Sequence, residues 1–164
     1  MAKPIRPSRR RANAAKGFGG RKDRVSVPVF TVGYAGRDVR DLVATLASAG
    51  IRRLVDVRAL PLSRRRGFSK TSLAATLEAA GIEYVHIREA GNPFRHEAAD
   101  IDRCLSLYGR YLESKPEIVE RVSEVVAEVR SALLCVESEA ESCHRSVLAG
   151  FLRRRDTQVS VTDL

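Results

Sequence analysis

The chain has 164 residues, 44% hydrophobic and 30% charged, which suits one domain with a buried core and is short for two. Three cysteines exclude the disulfide framework of a small secreted protein. The sequence contains no apolar run of the roughly 18–20 residues that a membrane helix needs. We therefore predict a reduced, cytoplasmic, single-domain protein that does not associate with membranes.

Positive charge is concentrated at the start of the chain. Residues 1–24 hold nine of the 29 lysines and arginines. They hold only one of the 20 acidic residues. Being rich in Pro, Gly, Ala and Arg, they are predicted to form a disordered basic arm in front of an α/β domain at 25–164. Such an arm favours a polyanionic partner, and we predict a nucleic acid. A solubilising tail is the alternative.

From residue 27 onward, short apolar runs alternate with amphipathic segments. The pattern predicts, in order, a strand at 27–32, a helix at 38–49, a strand at 53–57, a helix at 69–80, a strand at 83–87, helices at 100–113 and 116–130, a strand at 132–136, a helix at 144–154 and a strand at 158–162. This alternation indicates a Rossmann-like three-layer α/β fold with a mostly parallel sheet of about five strands.

Ligands of such sheets bind at the carboxyl ends of the strands. The first loop there contains Gly33, which lets a backbone approach a ligand, and Tyr34, which can stack on a base. A simple turn with Tyr34 covering the sheet edge is the alternative. In the second loop the side chains of Asp56 and Arg58 project to the same side of the strand. Asp56 is a candidate catalytic carboxylate and Arg58 a candidate phosphate ligand. A structural ion pair between the two is the alternative.

The second loop continues into the densest basic run of the domain. Its candidate phosphate ligands precede or begin a predicted helix and are Arg64, Arg65, Arg66, Ser69 and Lys70. Phe68 is predicted to be an exposed aromatic residue among them, an arrangement that is common in nucleic-acid binding. A solvated loop without a ligand is the alternative.

The loop at 137–145 ends with Cys143, His144 and Arg145 at a predicted helix N-terminus. Glu137 is a candidate acid or base, while His144 and Arg145 are candidate anion ligands. A cysteine phosphatase loop is excluded, because alanine stands where its arginine belongs. A zinc site formed by Cys135, Cys143 and His144 is an alternative, but Cys135 is predicted to be buried in a strand and no CxxC pair supports the site, so we predict no metal. A nucleophilic thiol at Cys143 stays open.

The loop at 88–99 contains Arg95 and His96, which we weigh as further contacts to a substrate.

Four segments resemble the bacterial and archaeal DUF488 family (domain of unknown function) across residues 29–163: TVGYAGRD, LVDVRALPLSRRRGFSK, AGIEYVHIREAGNP and ALLCVESEAESCHRSVLA. The specific features are the glycine turn, the DVR-x-x-P-x-SR loop leading to FSK, and C-x-E followed by CHRS. Ala35 and Gly36 replace the small polar pair of the family's first motif. The resemblance implies a DNA glycosylase that excises a modified pyrimidine such as 5-hydroxymethyluracil.

Under that implication, Asp56 and Glu137 would face one crevice and assist attack by water. Tyr34 would stack on the flipped base, and His144 or Arg145 would stabilise the departing pyrimidine. We predict a monofunctional, cofactor-free monomer, with Gly33, Arg58 and Cys143 around the base. A nucleic-acid or nucleotide binder without catalysis and a thiol-dependent small-molecule enzyme are the alternatives.

Overall fold

The computed structural model describes residues 28–95 and 100–164, so the predicted arm lies outside the described part of the chain. Five parallel strands form one sheet in the order β3-β2-β4-β1-β5. The strands are β1 (Val29–Gly33), β2 (Arg53–Asp56), β3 (Glu83–His86), β4 (Ser131–Cys135) and β5 (Val161–Asp163). The predicted Rossmann-like α/β fold is confirmed.

Five helices connect the strands: α1 (Val39–Ser48), α2 (Lys70–Ala79), α3 (Ile101–Ser114), α4 (Pro116–Glu128) and α5 (His144–Arg155). A single 3-10 turn at Arg88–Ala90 follows β3. Each strand and helix predicted from the sequence is present, with its ends displaced by at most three residues. None of the helices within 28–95 and 100–164 has the length and apolar character to cross a membrane.

Alternating strand residues divide the core into two layers. Leu54 and Leu134 pack with helices α1 and α2 on one face of the sheet. Their chain neighbours Val55 and Leu133 pack with α3, α4 and α5 on the other face. A strand that buries side chains on both faces is typical of a parallel sheet covered by helices. The sheet and the helices on its two faces therefore form three layers.

Strand β4 lies at the centre of the sheet, between β2 and β1. The register pairs Gly33 with Cys135, and Asp56 with Leu134, so the carboxyl ends of the three strands lie at one edge. The chain leaves β1 and β2 toward α1 and α2 but leaves β4 toward α5, on the opposite face. Diverging connections of this kind open a crevice at the carboxyl edge.

Candidate functional site

A cavity of about 240 Å³ opens at the carboxyl edge of the sheet. Its wall combines residues from the end of β4 and the start of α5, namely Cys135, Glu137, Cys143 and His144. Its rim includes Leu60, Leu62 and Ile101, which are exposed despite being apolar. The volume is below the range of roughly 300–1,000 Å³ that is usual for drug-sized ligands, so the cavity suits a ligand about the size of a single base.

Glu137 faces this cavity with both carboxylate oxygens engaged. Oε2 lies 3.0 Å from Sγ of Cys135 and 3.2 Å from Sγ of Cys143. Oε1 lies 2.9 Å from Nη2 of Arg95. Burial alone raises the pKa of Glu137, but the hydrogen bond from Cys135 and the charge of Arg95 outweigh burial and lower it. Glu137 is therefore ionised at neutral pH.

The two buried thiols beside Glu137 differ in acidity. A hydrogen bond from Cys135 lowers the pKa of Cys143 to about 5, against the opposing effect of burial and with help from His144. The same hydrogen bond, together with burial, raises the pKa of Cys135. Cys143 also occupies the N-cap position of α5, where backbone N–H groups favour a negative charge. Cys143 is thus the sulfur that ionises first.

His144 is held between the sheet and the thiols. Its Nε2 lies 2.8 Å from the carbonyl oxygen of Val57, and its ring packs edge-on against Tyr108. A carbonyl can only accept a hydrogen bond, so Nε2 carries the hydrogen. Nδ1 is left facing Cys135 at 3.6 Å and Cys143 at 3.8 Å. The expectation that His144 binds an anion is not supported by this orientation.

We expect Cys143 to react first with iodoacetamide in chelator-treated, reduced protein at pH 6.5. An ordinary cysteine is only about 1% ionised at that pH. Because the pKa of Cys143 is lowered to about 5, its thiolate persists from pH 8 down to pH 6 and is lost only as the pH falls through about 5. Peptide mass spectrometry of the Cys143 adduct measures the rate at each pH. A rate that rises about tenfold per pH unit between 6 and 8 would contradict the prediction, and Cys143→Ser identifies the adduct.

Asp56 is not among the residues that line the cavity; it is 0% exposed and completes an internal network. Oδ1 accepts hydrogen bonds from the backbone N and Nε of Arg58, and Oδ2 accepts from Nη2 of Arg58 and the hydroxyl of Tyr84. Burial alone lowers the pKa of Arg58, but Asp56 outweighs burial and raises it. Asp56 and Glu137 therefore do not face each other across one cleft.

Gly33 and Tyr34 also serve the fold at this edge. Gly33 packs against the backbone of Glu137 and Ser138 rather than against the cavity. Tyr34 is buried, stacks on Phe68 with ring centroids 4.3 Å apart, and accepts a hydrogen bond from Arg58. Phe68 is thus buried, and its predicted exposure is wrong. This arrangement fits the alternative interpretation of the sequence, in which Tyr34 covers the edge of the sheet.

The predicted phosphate ligands separate into two groups. Arg64, Arg65, Arg66 and Lys70 are exposed, and Ser69 precedes α2 without a side-chain capping bond. Arg145, by contrast, is 0% exposed. Its guanidinium donates to the carbonyl oxygens of Glu137 and Ser138 and contacts Asp163. Arg145 therefore fixes the loop between β4 and α5, and the exposed group is left as the candidate contact for a polyanion.

The sequence did not predict the positions of two site residues, Arg95 and Cys135, at the cavity. Arg95 was weighed as a substrate contact, but it lies in a loop with no regular pattern, so no signal predicted its ion pair with Glu137. Cys135 was predicted to be buried, which is correct, but its sulfur also lines the cavity. The C-x-E spacing was the available signal, because residues two apart on a strand project to the same side. His96, which was weighed as a substrate contact, lies outside the described residues.

A family model described as "Domain of unknown function DUF488" matches residues 38–152, which is more than half of the chain. The match covers β2, β3, β4 and most of α5, and so the whole thiol-lined wall of the cavity. Comparisons with curated proteins and with solved structures find no match.

Proposed function

We propose that this chain, which belongs to the DUF488 family, is a monofunctional DNA glycosylase that excises a modified pyrimidine such as 5-hydroxymethyluracil. The observation that carries the proposal is an ionised carboxylate, Glu137, on the wall of a base-sized cavity. The role that the sequence divided between two carboxylates falls to Glu137 alone, because Asp56 is sealed by Arg58 and Tyr84.

The surroundings of the cavity support a nucleic-acid substrate. Leu60 is 64% exposed and Leu62 is 76% exposed, and apolar side chains of this kind can enter the gap that a flipped base leaves. The exposed arginines at 64–66 continue the same loop and can hold flanking phosphates. Residues 1–24 add a net charge of +8, which favours binding to a polyanion.

The reaction needs one water molecule. Glu137 takes a proton from the water as its oxygen attacks the anomeric carbon of the sugar. The C–N bond breaks, its electron pair leaves with the base, and the base becomes neutral by taking up a proton from solvent, while Glu137 releases its proton to solvent. The carboxylate also stabilises the positive charge that develops on the sugar. Arg95, half exposed beside Glu137, is the cation available to the departing base.

The test is release of free base from duplex DNA that contains 5-hydroxymethyluracil or one of a panel of other modified pyrimidines. Mass spectrometry of the released bases and counting of abasic sites measure the activity. We expect Glu137→Gln to lower the rate at least about 100-fold, because general base catalysis contributes about 10²–10⁴-fold.

Glu139→Gln is the matched control, since it makes the same change on an exposed side chain of the same loop. It is expected to retain the rate of the unmodified chain. Intact DNA across the whole panel at micromolar protein would refute the proposal. Equal rates for Glu137→Gln and Glu139→Gln would refute the role of Glu137.

A further inference from the structure

We propose that Cys135, Cys143 and His144 form a binding site for one Zn²⁺ ion, open to the cavity beside Glu137. The two sulfurs and Nδ1 of His144 all lie within 4.8 Å of one another. All three residues are buried, and all three line the cavity, which gives an ion a route of entry. The site goes beyond the proposed base excision and does not depend on it.

The spacing of the donor atoms fits a tetrahedral zinc ion. Zn–S bonds of about 2.3 Å and Zn–N bonds of about 2.0–2.1 Å, at a tetrahedral angle, place sulfur and nitrogen about 3.6 Å apart. The distances from Nδ1 of His144 are 3.6 Å to Sγ of Cys135 and 3.8 Å to Sγ of Cys143. Both nitrogen–sulfur separations therefore match a tetrahedral ion, and the two sulfurs lie within 4.8 Å of each other.

The orientation of His144 is that of a metal ligand. A ligating histidine usually donates its other ring N–H to a carbonyl or carboxylate, which fixes the ring and the tautomer. Nε2 of His144 donates to the carbonyl oxygen of Val57 over 2.8 Å. The lone pair of Nδ1 is thereby directed at the two sulfurs. Tyr108, edge-on to the imidazole with ring centroids 5.1 Å apart, limits its rotation.

The charge around the cluster favours a divalent cation. Two thiolates and Glu137 carry three negative charges when ionised, and Arg95 supplies one positive charge. The guanidinium of Arg58 is held by Asp56, and that of Arg145 by backbone carbonyls and Asp163. A divalent ion would bring the cluster to neutrality.

The donor set selects the metal and the kind of site. Thiolate and imidazole favour zinc over magnesium or calcium, which prefer oxygen ligands. Three protein ligands with a fourth position open to a cavity are typical of catalytic zinc, whereas structural zinc is closed by four. Two cysteines, one histidine and a neighbouring glutamate that is not a ligand are also the groups with which zinc deaminases activate water near a base.

The experiment is a metal titration of the full chain after chelator treatment under reducing conditions. We expect one Zn²⁺ per chain, and with Co²⁺ the charge-transfer absorption of thiolate ligands and the visible bands of tetrahedral coordination. Zn²⁺ is also expected to protect Cys143 from iodoacetamide. Cys143→Ser should lower the Zn²⁺ affinity at least about 100-fold, since loss of an outer-shell partner alone typically costs 10–100-fold.

Cys104→Ser is the matched control, because Cys104 lines the same cavity outside the cluster; its Zn²⁺ affinity should stay within about twofold of the unmodified chain. Circular dichroism checks that each variant is folded, and the Co²⁺ spectrum of the unmodified chain needs no variant. A Co²⁺ spectrum without thiolate charge transfer, or equal Zn²⁺ affinity in Cys143→Ser and the unmodified chain, would overturn the proposal. Because the experiment measures metal binding, a negative result would refute the zinc site without refuting base excision. A negative result in the base-release assay would likewise not refute the zinc site.

Discussion

Replacing Asp56 with asparagine is expected to lower the free energy of unfolding by about 3–5 kcal/mol, because it leaves the guanidinium of Arg58 buried without its counter-charge. Asp56 is 0% and Arg58 3% exposed, so water cannot replace the lost carboxylate. Arg58 also binds the carbonyl oxygen of Phe68 and the hydroxyl of Tyr34, so the uncompensated charge lies among the residues that order the loop at 58–69. Equilibrium unfolding in urea, followed by circular dichroism, measures the change.

Tyr84→Phe is the graded control for Asp56. It removes the hydroxyl that lies 2.6 Å from Oδ2 of Asp56 but keeps the ion pair with Arg58, so the free energy of unfolding is expected to fall by about 1.5 kcal/mol. A double variant with Asp56→Leu and Arg58→Met removes both charges and should be more stable than Asp56→Asn, because no unpaired charge is left. A loss of less than 1 kcal/mol for Asp56→Asn would show that Arg58 finds another partner, and would contradict the network described above.

Gly33→Ala is expected to destabilise the fold by about 3 kcal/mol or more, through overlap of backbone and side chain. A Cβ at residue 33 would overlap the carbonyl group of Glu137 and approach Cα of Ser138 to 2.9 Å. Both contacts are with backbone, which cannot swing aside as a flexible side chain can. The same carbonyl of Glu137 accepts a hydrogen bond from Arg145, so relaxation would also displace Glu137 from the cavity. Thermal unfolding and urea titration measure the loss.

Gly150→Ala is the same substitution at another glycine, and it is expected to stabilise the fold instead of destabilising it. Gly150 lies within α5, and a Cβ there would meet no atom within 4 Å. Alanine restricts the unfolded chain and favours the helix, so a gain of about 0.5–1 kcal/mol is expected. If the two variants lost equal stability, the overlap at Gly33 could not be the cause.

The fold was predictable because its signals are local and repeated. Val29–Gly33 and Ser131–Cys135 are short apolar runs, and the helices between strands carry regular apolar spacing with capping residues such as Asp38. Each signal is short in range and agrees with its neighbours, so the alternation survives small errors at element ends. The rule that ligands bind at the carboxyl ends of parallel strands also predicts the position of the cavity correctly.

The chemistry of the edge was harder to predict, because a strand end can turn a polar side chain inward or outward. Asp56, Tyr34 and Arg145 stand at the correct edge, yet each is buried and bonded to other parts of the chain. Arg58 is only two residues from Asp56, but other partners are distant in sequence: Tyr84 is 28 residues from Asp56, and Thr31 is 114 residues from Arg145. No spacing rule identifies the distant partners. Cys135 was underestimated for the complementary reason: a strand residue can be buried and still border a cavity.

The two sides of the cavity differ in how firmly they are built. On one side the sulfurs, the imidazole and Glu137 stand at the end of the central strand and the first turn of α5, with Arg145 bracing the segment between them. On the other side Leu60 and Leu62 protrude from the surface of a long loop. In the proposed enzyme the reacting groups and the residues that admit the ligand therefore lie on separate stretches of chain, so exchanging residues at 60 and 62 should change which molecules are admitted without disturbing the reacting groups.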